Sequence, residues 1–83
     1  MIANKEKLRS FLQAKKLSEQ DFANLLDVDI SEVEKLLTGI PVGLDTARKF
    51  IRFFKAELAQ HYIDWETMNI KNPLQEDKKN EKL

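Results

Sequence analysis

The sequence predicts an all-α domain of four to five short helices, spanning residues 1–70, followed by a flexible polar tail at 71–83. Three observations carry that expectation. Apolar residues recur at i, i+3 and i+4 through several short segments, the spacing that lines one face of a helix. Two of these segments open on a capping residue with an acid three places on: Ser18 with Asp21, and Asp29 with Glu32. Two Gly, two Pro and few alternating β-branched stretches in 83 residues leave little material for a sheet. A chain of this length forms one domain with a small core.

The first helix is expected from about Asn4 to Ala14, with Leu8, Phe11 and Leu12 inward. Ser18 then caps a second helix whose apolar stripe is Phe22, Ala23, Leu25 and Leu26. Asp27 and Val28 break it. Asp29 caps a third helix with Val33, Leu36 and Leu37 buried, and Gly39 followed by Pro41 stops it. Two short helices joined by so tight a turn form a helix-turn-helix unit, with the small Ala23 at the crossing and Val33 reaching back into the same core. A loop, Ile40 to Gly43, leads to a longer helix from near Leu44, with Ala47, Phe50, Ile51, Phe54 and Leu58 on one face. Beyond it the pattern fits either a continuation through Tyr62 and Trp65 or a separate short helix near His61. From Lys71 onward the chain has too little apolar surface to order itself.

Fourteen basic and fourteen acidic side chains cancel, so no net charge draws the protein to nucleic acid or anionic lipid. Their distribution is uneven. Residues 1–17 hold five basic side chains and one acid; residues 46–60 hold four and one. Between them, Ser18 to Asp45 holds seven carboxylates (Glu19, Asp21, Asp27, Asp29, Glu32, Glu34, Asp45) against Lys35 alone. First-turn positions and caps account for some of these, because negative charge there suits the helix dipole. Glu34 has no such explanation.

The absence of Cys excludes disulfides, thiolate chemistry and zinc fingers. Asp27, Asp29 and Ser31 match the start of a calcium loop, but Glu32 replaces its glycine and Thr38 stands where a bidentate glutamate belongs. His61 is the sole histidine, no serine has an activating partner, and no Gly-rich phosphate loop appears. An enzyme, a cofactor and a small-molecule substrate are therefore not expected. No apolar run approaches the roughly 20 residues of a membrane span and the start lacks a signal-peptide core, so a cytoplasmic location is expected.

Leu17, Ser18, Phe22, Ala23, Leu26, Val28, Val33, Leu36 and Gly39, with Leu44, Thr46, Phe50 and Ile51 after them, give the chain its family character. From about Lys5 to Phe54 it resembles the Xre/Cro/CI repressors of phages and bacteria, whose fold is lambda-repressor-like. The resemblance implies a small transcriptional regulator, phage- or mobile-element-related, that binds double-stranded DNA. Carried onto this sequence, the candidate DNA-binding residues are Lys15, Lys16, Glu19, Gln20, Ile30, Ser31, Glu32, Lys35, Arg48 and Lys49, with Glu34 also on the contacting helix. The departures matter. Asp27 stands where glycine is usual in the turn, and aspartate tolerates a left-handed backbone better than most residues. Of the positions on the third helix, only Ser31 and Lys35 suit DNA, and Ile30 suits a thymine methyl at best. The first-turn carboxylates occupy helix N-termini that otherwise receive phosphate. A second reading follows: a protein-interaction module that kept the scaffold and lost DNA.

Aromatic residues gather late, at Phe50, Phe53, Phe54, Tyr62 and Trp65. One helix cannot turn Phe50, Phe53 and Phe54 into one small core without crowding. Either Phe53 is half-buried beneath the first helix or the C-terminal segment, or Phe53, Ile63 or Trp65 belongs to an exposed patch for a second copy or another protein.

Overall fold

Cap residues set the helix boundaries. In the computed structural model, which describes residues 1–68, α1 spans Lys5–Lys15, α2 Glu19–Leu26, α3 Ile30–Thr38, α4 Leu44–Phe54 and α5 Ala56–Ala59, and a 3-10 turn follows at Gln60–Tyr62. The expected tail, and the last two residues of the expected domain, lie outside the described residues. No helix among the described residues is long and apolar enough to cross a membrane.

Asn4 caps α1 by accepting from the Lys7 amide at 3.1 Å, and Lys16 ends that helix in the left-handed region at φ 57°. Ser18 and Asp21 form a reciprocal capping box: Ser18 Oγ accepts from the Asp21 amide at 3.0 Å, and Asp21 Oδ2 accepts from the Ser18 amide at 3.1 Å. Asp27 closes α2 at φ 62°, the left-handed conformation its position in the turn demands. Gly39 ends α3 at φ 75°. One expected cap differs. Asp29 precedes α3 but makes no side-chain cap bond, and Glu32 turns away to α4 instead of back to the cap amide.

The core gathers Leu8 and Leu12 of α1, Phe22, Ala23 and Leu26 of α2, Val33, Leu36 and Leu37 of α3, and Phe50 and Phe54 of α4. Ala23 and Val33 are fully buried, and the Val28 amide bonds back to the Ala23 carbonyl at 3.0 Å, drawing the turn tight. Arg9 Nε donates to the Leu37 carbonyl at 3.0 Å and fastens α1 to the end of α3.

Three residues expected inward are exposed: Leu25, Ile51 and Leu58, at 52%, 38% and 48%. For Leu58 the cause is a break in the helix. Lys55 takes φ 68° and ψ 155°, so α4 stops at Phe54 and α5 starts on a new axis, out of register with the α4 stripe. Neither expectation for the C-terminal end fits in full. A separate short helix does form, but it starts at Ala56 and runs into the 3-10 turn that holds His61, after which Ile63 is extended.

The aromatic crowding is relieved by sharing. Phe50 and Phe54 are buried, while Phe53 is half-buried, its ring 6.3 Å from Phe11 of α1 and 5.6 Å from Phe22 of α2, both near edge-on. Tyr62 stacks on Phe54 at 4.5 Å. Edge-to-face and offset contacts at these separations are favourable beyond the area they bury.

The N-terminal residues do something the apolar pattern does not announce. The Met1 amino group donates to the Val42 carbonyl and the Val42 amide donates to the Met1 carbonyl, at 3.1 and 2.8 Å. Ala3 pairs with Ile63 in an antiparallel bridge, with the Asn4 amide on the Tyr62 carbonyl and the Asp64 amide on the Ile2 carbonyl, both at 2.8 Å. Residues 1–4 thus clasp the α3–α4 loop on one side and the C-terminal end of the domain on the other.

Candidate nucleic-acid interface

The helix-turn-helix unit is α2, the turn Asp27–Asp29, and α3. Because Val33, Leu36 and Leu37 face the core, the opposite side of α3 presents Ile30, Ser31, Glu34 and Thr38 to solvent, with Ile30 at 40% exposure. Thr38 turns its hydroxyl back on its own helix, donating to the Glu34 carbonyl at 2.7 Å. At the edge of this face, between the turn and the start of α4, lies an open cleft of about 550 Å³, lined by Asp27, Asp29, Glu32, Asp45, Thr46 and Lys49 among others.

Two polar ties cross this cleft. Thr46, itself buried, donates to Glu32 Oε1 at 2.7 Å, and Lys35 Nζ lies 3.0 Å from Glu32 Oε2. The Thr46 hydroxyl first, and then Lys35, hold the Glu32 carboxyl below the ordinary glutamate range, against a smaller opposing effect of burial. Lys49 supplies the second tie. Its Nζ donates to the Asp27 carbonyl at 2.8 Å and lies 3.3 Å from Asp45 and 3.8 Å from the Asp27 carboxylate. The left-handed turn is therefore gripped from α4 by an ammonium.

Of the candidate DNA-binding residues, the structure brings Glu32 and Lys49 to this cleft, and Lys35 pairs with Glu32 from one turn further along α3. Ile30, Ser31 and Glu34 share the outer face of α3, and Glu19 and Gln20 open α2, where Gln20 Nε2 donates to Asn24 Oδ1 at 3.1 Å. Lys15, Lys16 and Arg48 are exposed and enter none of the ion pairs formed among the described residues. Two of the five candidate phosphate-binding cations, Lys35 and Lys49, are thus already paired with carboxylates of the same chain.

The residues expected at a protein contact separate. Ile63 is buried at 7% exposure, because its bridge to Ala3 turns the side chain into the core, so it does not belong to an exposed patch. Trp65 is half-buried, and its Nε1 donates to the Gln60 carbonyl at 3.1 Å. Phe53 is half-buried among Phe11, Phe22 and Phe54.

Asp45 and Thr46 were not singled out for this site by the sequence. The Asp45–Lys49 spacing of i, i+4 was a readable signal for a helical ion pair. Nothing in the pattern announced that Thr46 would reach Glu32. No protein-family model matches the chain, and no curated protein or solved structure matches it.

Proposed function

We propose that the chain is a small DNA-binding transcriptional regulator of the Xre/Cro type, phage- or mobile-element-related as the resemblance implies, acting on double-stranded DNA. The observation that carries the reading is the α2–α3 arrangement: two short helices share a buried seam across one left-handed residue, and α3 offers its outer side as a continuous exposed face. Fold alone does not determine function, so the reading draws its force from family analogy added to this geometry. Exposed Lys15, Lys16 and Arg48 serve as phosphate contacts, and Ser31 and Ile30 meet base edges. A homodimer belongs to the same reading, using exposed Leu58 with half-buried Phe53 and Trp65 as apolar surface near the C-terminal end.

Titration of a mixed-sequence duplex at about 50 mM salt tests it. With about three or four phosphates neutralised per subunit, binding is weak and its log–log salt slope is shallow, near −0.9 per contact. Absence of binding at low salt overturns the reading.

One observation favours a second reading, a protein-interaction module without DNA. The cleft beside α3 sets four carboxylates against Lys49, and Lys35 is bonded to one of them. Such a surface suits a basic protein partner better than a polyanion. Under this reading the duplex titration is flat at every salt concentration.

A further inference from the structure

We infer that Lys49 is a phosphate contact held in reserve, masked by the carboxylates of Asp45 and Asp27, which stand where DNA phosphate oxygens would bind it. The inference rests on the DNA-binding reading and adds a regulatory contact to it. Lys49 projects from α4 toward the helix-turn-helix turn, with its side chain 26% exposed. Its ammonium has three donors and no acceptor, so each contact it makes is with an oxygen. Those contacts are the Asp27 carbonyl at 2.8 Å, Asp45 Oδ2 at 3.3 Å and Asp27 Oδ2 at 3.8 Å. The two carboxylates are 83% and 95% exposed, so neither is buried with the lysine, and both can swing into solvent. A mask of this kind is weak by construction, since exposed ion pairs are screened and contribute little. Lys35 is arranged differently. Its partner Glu32 is anchored by buried Thr46 and cannot swing away, whereas Lys49 can leave both exposed carboxylates and keep its bond to the Asp27 carbonyl.

The test compares four proteins on one mixed-sequence duplex across a salt series: the natural chain, Asp27→Asn/Asp45→Asn, the same pair with Lys49→Met, and Glu34→Gln. Asparagine keeps the left-handed backbone of residue 27 accessible, and thermal melts verify that each protein is folded. The double variant is expected to bind about fivefold tighter at low salt, the scale of one exposed ion pair, with a slope steeper by about 0.9 because one more phosphate is engaged. Adding Lys49→Met returns the slope to the natural value. Glu34→Gln removes a carboxylate of the outer side of α3 that pairs with no lysine among the described residues, and it changes affinity without steepening the slope. An unchanged slope in the double variant, or a steepened slope that survives Lys49→Met, overturns the mask while leaving DNA binding intact. Absence of binding by all four proteins overturns the DNA reading and the mask with it.

Discussion

Thr46 Oγ1 donates to Glu32 Oε1 at 2.7 Å, so a buried hydroxyl at the start of α4 fixes a carboxylate on α3. One of the acids that sets this motif apart is therefore a structural tie between helices, whatever else it does to a ligand.

The tie has a pH signature. Glu32 has its carboxyl lowered in the folded state, so its contribution to stability is present above the ordinary glutamate value and is lost as pH falls through Glu32's own lower one. Thr46→Val is expected to destabilise the domain by ~1 kcal/mol at neutral pH. The difference between variant and natural protein should narrow as the solution is acidified through that window. Urea melts from neutral to acidic pH measure it, and a difference that does not change with pH removes Glu32 as the partner.

Lys55 holds φ 68° and ψ 155°, a region that essentially only glycine occupies without strain. Lys55→Gly should raise stability by ~1 kcal/mol, the relief of strain exceeding the added chain entropy of glycine. In a domain this small that is a rise of about 4–8 °C in thermal midpoint. A lowered midpoint means that the break after α4 is not strained.

Ala23 is fully buried, and Val33, equally buried, belongs to the same core. Ala23→Leu is expected to overpack the seam between α2 and α3 by ~1–3 kcal/mol. Thermal denaturation by circular dichroism checks this, and an unshifted midpoint takes Ala23 away from the crossing.

Deleting residues 1–3 removes the two backbone bonds between Met1 and Val42 and the bond from Asp64 to Ile2, together with buried Ala3. At ~0.5–1.5 kcal/mol for each hydrogen bond, the loss should be ~2–4 kcal/mol. Chemical denaturation of the shortened chain gives the value directly, and a loss below ~1 kcal/mol shows that the clasp does not hold the domain closed.

Sedimentation equilibrium addresses the proposed homodimer. The natural chain should self-associate, and Trp65→Ala or Leu58→Glu should weaken it. A monomer throughout leaves Trp65 as part of the fold, anchored through Gln60.

What the sequence made legible was local. The Ser18–Asp21 box, the left-handed Asp27 and the stop at Gly39 each depend on residues a few places apart, whose side chains have few other uses at those positions. The buried stripes of α2 and α3 followed from spacing alone, apart from Leu25. The clasp of residues 1–4 was hidden because it is made by backbone groups, which every residue possesses, and so leaves no mark in side-chain identity. Ile63 misled for a related reason: its burial depends on Ala3, far away in the chain. At the candidate site, the exposed face of α3 was readable from its periodicity, and its carboxylates from simple counting. The engagement of Lys35 and Lys49 was only half readable, since Asp45 lies one turn before Lys49 while Asp27 and Thr46 approach through the tertiary fold.

The clasp also orders events in time. Contacts between α2 and α3 close over a few residues, whereas Met1 meets Val42 across 41 positions and Ala3 meets Ile63 across nearly the whole described chain. Closing such long loops is entropically slow and is rewarded only once the intervening helices are in place. The two ends therefore join last on folding and part first on opening. In hydrogen exchange, the amides of Val42, Asn4 and Asp64 should report a partial opening that leaves the helix-turn-helix pair intact, a state in which the exposed side of α3 persists after the domain has come unfastened.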